Sequence, residues 1–128
     1  MNFRLELFVE NLQKSIKFYE EILNLTFSNK NENGAIIIKE NFALLLTHDI
    51  ILDENHYFKK GGINPKGKGV EIILVSDNIE KLYKHVLDSN YPIETELELQ
   101  SWGMKDFRII DPDGYYIRLT SKKLSEHK

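Results

Sequence analysis

The segment 102–119, WGMKDFRIIDPDGYYIRL, decides the fold of this chain, because it encodes two β-strands joined by one tight turn. Apolar and aromatic residues on either side of the turn predict strands at residues 105–110 and 115–120. Within the turn sequence Asp-Pro-Asp-Gly (111–114), proline presets the φ angle of the second position, the aspartates accept hydrogen bonds from backbone N–H groups, and glycine takes the strained last position. The segment therefore predicts a β-hairpin close to the end of the sequence, with Trp102 at its entrance.

Composition narrows the classes of protein to which this chain could belong. Its 128 residues are enough for one domain with a single core. The 17 basic and 20 acidic residues give a net charge of −3, which argues against a nucleic-acid or anionic-membrane partner. The absence of cysteine excludes disulfides, thiolate nucleophiles and Cys-based zinc sites. No signal-peptide pattern or membrane-spanning apolar run is present, so a soluble, cytoplasmic protein is expected.

The first half of the chain predicts a strand, a helix and three further strands. Residues 3–9 alternate apolar and polar side chains, as a half-buried strand does. In the helix that follows, Asn11 is placed as the N-cap and Asn24 as the terminating residue, with apolar residues at helical spacing between them. Three strand candidates come next, at residues 25–30, 35–39 and 42–47.

The second half repeats this order of elements. Residues 70–75 predict a strand, and Asp77 with Glu80 has the spacing of a capping box for the next helix. Asn90 ends that helix and Pro92 prevents its continuation. Strand candidates then follow at residues 93–97, 105–110 and 115–120.

The two halves are copies of one module. They align without gaps over the strand–helix unit at an offset of 67 residues, which places Asn11 on Asn78. The segment between the copies is rich in Gly, Lys and Asn and is predicted to be a mobile linker. We therefore predict a single domain over residues 1–128, with module one at about 3–48, the linker at about 49–69, module two at about 70–120 and a tail at 121–128.

Three stretches, together with the duplicated order of elements, resemble the vicinal oxygen chelate superfamily, which contains glyoxalase I, the extradiol dioxygenases and the bleomycin-resistance proteins. They are LQKSIKFY at residues 12–19, GKGVEIILVSDNIEKLYKHV at 67–86 and WGMKDFRIIDPDG at 102–114. The last two are similar to sequences of the bleomycin-resistance-like branch. The resemblance implies an α+β fold in which two βαβββ modules form a curved mixed sheet around a cleft.

The resemblance also identifies four positions that hold a metal ion in the superfamily's metal enzymes. There, the first and last strands of each module each supply one His, Glu or Gln ligand. Carried over residue by residue, these positions are Arg4, Leu45, Glu71 and Arg118. One carboxylate does not hold a catalytic ion, and two guanidiniums repel it by several kcal/mol even at an effective dielectric of roughly 20. We therefore expect no metal and no other cofactor.

Three of these residues are candidates for ligand binding instead. Arg4, Glu71 and Arg118 lie on the side of their strands that faces the cleft in the superfamily, so they are expected to converge with a net charge of +1. They form either a structural ion-pair triad or a site for a carboxylate, phosphate or enolate-like oxygen of a ligand. Trp102 is either a stacking wall for a flat or cationic ligand or a loop residue at the cleft edge or a dimer contact. The predicted ligand-binding residues are thus Arg4, Glu71, Arg118 and Trp102.

Other polar residues near the linker could be considered as metal ligands, but no two of them share a metal-binding spacing. They are interpreted as the polar exit of a strand and the start of the linker: His48, Asp49, Asp53, Glu54 and His56. No serine lies in a nucleophile-elbow pattern.

The resulting prediction is metal-independent binding of a small organic molecule in the inter-module cleft, as in the bleomycin-resistance proteins. The alternative is a metal-dependent lyase, isomerase or dioxygenase of the glyoxalase type, with Glu71 as base or sole remaining ligand. A third interpretation is a regulatory or structural dimer module with a vestigial cleft. Superfamily members of this size usually pair, so a homodimer is expected, with no nucleic-acid or membrane partner.

Overall fold

The structure is a computed structural model that describes residues 1–61 and 66–122, and the chain divides into two compact units at residue 65. The first unit contains β1 (Phe3–Val9), α1 (Leu12–Lys17) continued by a π-helical turn (Phe18–Ile22), β2 (Asn29–Lys30), β3 (Gly34–Ile38), β4 (Phe42–His48), a 3₁₀ turn (Asp49–Ile51) and α2 (Tyr57–Gly61). The second contains β5 (Glu71–Ser76), α3 (Ile79–Asp88), β6 (Thr95–Leu99), β7 (Lys105–Ile110) and β8 (Tyr116–Ser121). No helix in the described part is long and apolar enough to cross a membrane.

Each unit contains one four-stranded mixed sheet. The strand order is β1-β4-β3-β2 in the first unit and β5-β8-β7-β6 in the second. In both sheets the first strand of the unit pairs in parallel with the last, and the remaining pairs are antiparallel. The predicted α+β fold of two βαβββ modules is therefore confirmed.

Each sheet buries one face beneath its helix and leaves polar residues on the other, hereafter its open face. Successive side chains of a strand point to opposite faces, so the apolar residues at every second position meet the helix. In the first unit these are Leu7, Val9, Leu44 and Leu46, all at most 3% exposed, packed with Ile16 and Tyr19. In the second they are Ile72, Phe107, Ile109, Ile117 and Leu119, packed with Ile79 and Val86.

Asparagines begin and end both principal helices. The Asn11 side chain accepts a hydrogen bond from the Lys14 backbone N–H at 3.0 Å, and Asn78 does the same for Lys81 at 3.1 Å. Asn24 and Asn90 adopt the left-handed conformation, with φ of 58° and 57°. This conformation is common just past a helix end, because it turns the chain so that orphan carbonyls gain partners.

The capping box predicted for Asp77 and Glu80 is wrong. Asp77 lies one residue before the cap, and its carboxylate pairs with the Lys122 ammonium at 2.8 Å. The hydrogen bond to Lys122 lowers the pKa of Asp77. Glu80 pairs instead with Lys105 at 2.9 Å. Asn78 is therefore the N-cap of α3, a role that the sequence spacing had assigned to Asp77.

Two other predictions are only partly right. Of residues 25–30, only Asn29 and Lys30 pair with a neighbouring strand, because the backbone first folds back to the helix through a hydrogen bond from Leu25 N–H to the Tyr19 carbonyl. Phe27 is nevertheless buried, at 7% exposed, so this apolar run packs without forming a ladder. The predicted linker contains the 3₁₀ turn and α2, while its residues 62–65 lie outside the described part.

The hairpin at the turn 111–114 forms as predicted. The Asp111 carboxylate accepts hydrogen bonds from the N–H groups of Asp113 at 2.8 Å and Tyr115 at 2.9 Å. Gly114 has a φ of 100°, which favours glycine at this position. The turn fixes a register in which Arg108 lies directly opposite Arg118 across the two strands.

Asn78→Ala is expected to lower the free energy of unfolding by about 1 kcal/mol, because a backbone N–H at the start of α3 loses its acceptor. Asp77→Ala is the matched control and should leave the stability nearly unchanged, since its ion pair is exposed. Urea unfolding followed by circular dichroism measures both variants. A larger effect of Asp77→Ala than of Asn78→Ala would contradict the observed cap.

Candidate functional site

The open face of the second sheet carries a cluster of charged side chains on three neighbouring strands. Glu71 begins β5, Arg118 lies in the middle of β8, and Arg108 and Asp106 lie on β7. Their apolar sequence neighbours point the other way and are buried on the side of α3: Ile72, Phe107, Ile109, Ile117 and Leu119. The cluster thus results from the two-residue period of the strands and from the hairpin register.

Glu71 lies between the two guanidiniums. Its Oε1 accepts a hydrogen bond from Arg108 Nε at 3.1 Å and lies 3.6 Å from Arg118 Nε. The second distance is within ion-pair range but is too long for a hydrogen bond. The side chains of Arg108 and Arg118 are 18% and 20% exposed, so their attraction to Glu71 is only partly screened by solvent.

Asp106 provides the second carboxylate and is completely buried. One of its oxygens accepts a hydrogen bond from the Gln100 side chain at 2.9 Å and lies 3.5 Å from Arg108 Nη1. Its other oxygen and Arg118 Nε are both buried and have no hydrogen-bond partner within the described residues. This face therefore holds a donor and an acceptor whose hydrogen-bonding capacity the described residues do not use.

These contacts determine the charge state of the cluster. Burial alone lowers the pKa of Arg108, but its hydrogen bond to Glu71 and the nearby Asp106 carboxylate outweigh that effect and raise the pKa above its ordinary value. With two guanidiniums and two carboxylates, the four side chains carry no net charge when all are ionised.

A second polar group lies beside the cluster on the same sheet. Tyr116 donates a hydrogen bond to the Glu94 carboxylate at 2.7 Å, and Thr95 donates to the same oxygen. Hydrogen bonds from Thr95 and Tyr116, together with the charge of Arg108, lower the pKa of Glu94. Burial and the hydrogen bond to Glu94 raise the pKa of Tyr116. The open face thus carries two neighbouring polar groups, one around Glu71 and one around Glu94.

A model of the glyoxalase/bleomycin resistance protein/dioxygenase superfamily matches residues 3–119. The chain belongs to this superfamily. A comparison with curated proteins gives no match.

Solved structures of superfamily proteins share the fold. One is a glyoxalase/bleomycin resistance protein/dioxygenase from Nocardioides, with a TM-score of 0.76 and 16% identity over 97% of this chain and 84% of that one. A lactoylglutathione lyase from Agrobacterium tumefaciens has a TM-score of 0.70 and 17% identity over 97% and 95% of the two chains. A glyoxalase-related enzyme from Fulvimarina pelagi has a TM-score of 0.76 and 13% identity over 95% and 88%. Identities this low show a common fold and leave function to be argued from the site.

The residues at the superfamily's four metal positions do not fit a divalent ion in this member. Leu45 has no donor atom, and Arg4 and Arg118 are cations. The remaining position, Glu71, directs one carboxylate oxygen to Arg108 and Arg118 rather than to a cluster of ligands. Among the described residues, no three His, Asp or Glu side chains are grouped to hold a metal ion.

The histidines near the linker have a backbone role. His48 Nδ1 accepts a hydrogen bond from the Ile50 N–H at 3.1 Å and so begins the 3₁₀ turn. His56 Nδ1 accepts one from the Phe58 N–H, also at 3.1 Å, at the start of α2. In both residues, Nδ1 is thus already engaged by the backbone.

Of the four predicted ligand-binding residues, the structure brings Glu71 and Arg118 together. Arg4 is an exposed residue on the open face of the first sheet, in the other unit, and its convergence with them stays a prediction. Trp102 lies in the turn joining β6 to β7 and is 47% exposed. The expected charge of +1 included Arg4, which lies in the other unit. Within the second unit, Glu71 and Asp106 balance Arg118 and Arg108, so this cluster carries no net charge when all four side chains are ionised.

Sequence reasoning missed Arg108, Asp106 and Gln100. The signal for the first two was available, since the turn at 111–114 fixes which residues of the hairpin lie opposite each other. Arg108 alternates with the buried Phe107 and Ile109, which places it on the same face as Arg118. Gln100 gave no such signal, because the turn that returns it to Asp106 is not predicted by the alternation of residues.

Arg108→Met is expected to lower the free energy of unfolding by about 2–3 kcal/mol, because the buried Asp106 carboxylate loses its cation. Adding Asp106→Asn should recover part of this loss, since the uncompensated charge is removed. Urea unfolding of the two single variants and the double variant gives the coupling free energy. Lys84→Met, which breaks an exposed ion pair on α3, is the control and should change little. Additive effects of the two substitutions would contradict the proposed compensation.

Proposed function

We propose that the protein binds a small organic molecule on the open face of the second sheet without a metal ion. The observation that carries the proposal is the buried Nε of Arg118, which has no hydrogen-bond partner among the described residues. An unsatisfied buried donor costs free energy, and a ligand oxygen that accepts from it recovers that cost. A guanidinium also presents its donors in a planar fork that suits a carboxylate or phosphate.

The charge balance of the cluster refines the class of ligand. Because Glu71 and Asp106 neutralise the two arginines, a strongly charged group such as a phosphate gains little from net attraction. A carboxylate or enolate-like oxygen carries less charge than a phosphate and a carbonyl oxygen carries none, so these groups depend mainly on the directed hydrogen bonds. Since Glu71 lies 3.6 Å from Arg118 Nε, such an oxygen competes with a weak contact rather than with a hydrogen bond.

Apolar side chains on the same face suit the body of such a ligand. Ile73 lies directly beside Arg118 in the strand register and is 47% exposed. Val75 follows it on the same side of β5, and Ile110 lies two residues past Arg108 on β7. Both are also exposed. This combination of apolar surface and a few convergent polar groups is typical of small-molecule sites.

Arg118→Leu is expected to abolish this binding while the protein remains folded. A thermal-shift screen against aryl carboxylates, glycopeptide antibiotics and thiol adducts identifies ligands, because a ligand at about 100 times its dissociation constant stabilises the native state by about 2.7 kcal/mol. Calorimetric titration of each hit then compares the wild type with Arg118→Leu, and with Lys81→Met as a control for the loss of one exposed charge. Arg4→Leu measures whether the first unit takes part. Unchanged affinity of Arg118→Leu would contradict the proposal.

The alternative is an enzyme of the glyoxalase type, a lyase, isomerase or dioxygenase that uses Glu71 with a metal ion. The solved neighbours whose titles name a lactoylglutathione lyase and a glyoxalase-related enzyme favour it, although only through the fold. Elemental analysis of the purified protein separates the two proposals. About one zinc, nickel or iron ion per chain would favour the enzyme, as would metal-dependent turnover that Glu71→Gln removes.

We also propose that the protein is a homodimer in the cytoplasm. Each sheet has edge strands within its unit, β1 and β2 in the first and β5 and β6 in the second. Edge strands expose unpaired backbone groups, and pairing between two chains covers them in a closed, symmetric way. Light scattering at tens of micromolar is expected to give twice the chain mass of 15.0 kDa. A particle of monomer mass would contradict the dimer.

A further inference from the structure

A separate pocket lies on the open face of the first sheet, within the first unit. Its volume is about 360 Å³, and the described residues that line it all belong to that unit. One row of the sheet crosses it, from Glu6 on β1 through Leu45 and Ile36 to Asn29 on β2. The pocket therefore has a carboxylate at one side, an apolar floor and an amide at the other side.

The Glu6 carboxylate is held in place by one neutral donor. The Thr47 hydroxyl donates to Glu6 Oε2 at 2.7 Å, and Thr47 is itself 9% exposed. Within the described residues, no cationic side chain lies within ion-pair distance of Glu6. Arg4 lies two residues earlier on the same face but does not line the pocket. The pocket thus contains a carboxylate that no cation among the described residues neutralises.

The remaining lining residues offer acceptors and apolar surface. The Asn31 side chain accepts a hydrogen bond from the Asn33 N–H at 2.9 Å, which holds the loop that forms one wall. Ile51 contributes apolar surface beside Ile36 and Leu45. Among the residues that the structure describes, no lysine, arginine or histidine lines the pocket. Its lining therefore favours a positively charged ligand with an apolar part over an anion.

An aromatic cluster follows Glu6 along the same face of β1. Phe8 is two residues further on, and its ring centroid lies 5.5 Å from that of Phe58 and 5.8 Å from that of His56. Aromatic faces attract cations through the ring quadrupole. Phe8 is the strand partner of Thr47, but these three rings are not among the residues that line the pocket, so the preference for a cation rests on Glu6.

We propose that this pocket binds a small organic cation, a primary or quaternary amine whose ammonium group contacts Glu6 and whose apolar part packs on Ile36 and Leu45. The site differs from the arginine cluster in both its chemistry and its residues. The proposal therefore stands independently of the oxygen-bearing ligand proposed for the second sheet.

The test uses benzylamine as the probe, with benzyl alcohol and benzoate as neutral and anionic analogues of similar shape. Titration into ¹⁵N-labelled protein should shift the backbone amides of residues 29–36 and 45–47. Benzylamine should bind roughly fivefold more tightly than benzyl alcohol, the factor that corresponds to about 1 kcal/mol for a partly exposed ion pair. Benzoate should bind most weakly.

Glu6→Gln is expected to remove the preference for benzylamine and leave the affinity for benzyl alcohol unchanged. Glu40→Gln makes the same charge change in the turn between β3 and β4, away from the pocket, and should retain the preference. Ile36→Trp, which fills the pocket, should lower the affinity for both probes. Arg118→Leu should change neither affinity. Equal binding of the two probes, shifts outside these residues, or loss of the preference in Glu40→Gln would each overturn the proposal.

Discussion

The hydrogen bonds of the Asp111 carboxylate are the constraint on which the candidate site depends. By accepting from two backbone N–H groups of the turn, this side chain fixes the register of the last hairpin. A slip of one residue would turn every side chain of one strand to the opposite face, exposing Phe107 and burying Arg108. The buried core and the charged cluster are therefore two consequences of a single register.

That register creates an electrostatic problem, which the neighbouring strand resolves. Arg108 and Arg118 lie directly opposite each other, and like charges in this arrangement destabilise a sheet. Glu71 reaches both guanidiniums from β5, and Asp106 adds a second carboxylate beside Arg108. The carboxylate that the superfamily's metal enzymes would use for an ion thus has another partner here. The two arginines account for the Glu71 carboxylate, and no metal ion is needed to explain it.

Much of the fold follows from the sequence, because local rules and burial agree there. The hairpin, the N-cap at Asn11, the helix ends at Asn24 and Asn90 and the duplicated βαβββ order were predicted from turn chemistry and periodicity. The predictions that failed were those in which two local solutions compete. Asp77 and Asn78 are both good caps, and in the structure Asn78 takes this role while Asp77 pairs with Lys122. The pairing of Glu71 with Arg118 was predicted from their positions in the first and last strands of the module. The role of Arg108 depends on the register between β7 and β8.

The two modules also show how much chemistry one backbone pattern permits. At the offset of 67 residues, Arg4 corresponds to Glu71 and Glu6 corresponds to Ile73. The residues on the buried face are apolar in both modules, since Leu5 and Leu7 match Ile72 and Leu74. On the open face, the positive Arg4 is replaced by the negative Glu71, and the negative Glu6 is replaced by the uncharged Ile73. Burial restricts the residues on the buried face to apolar types, whereas the residues on the open face are free to change. Each sheet can therefore acquire its own ligand preference without altering the fold.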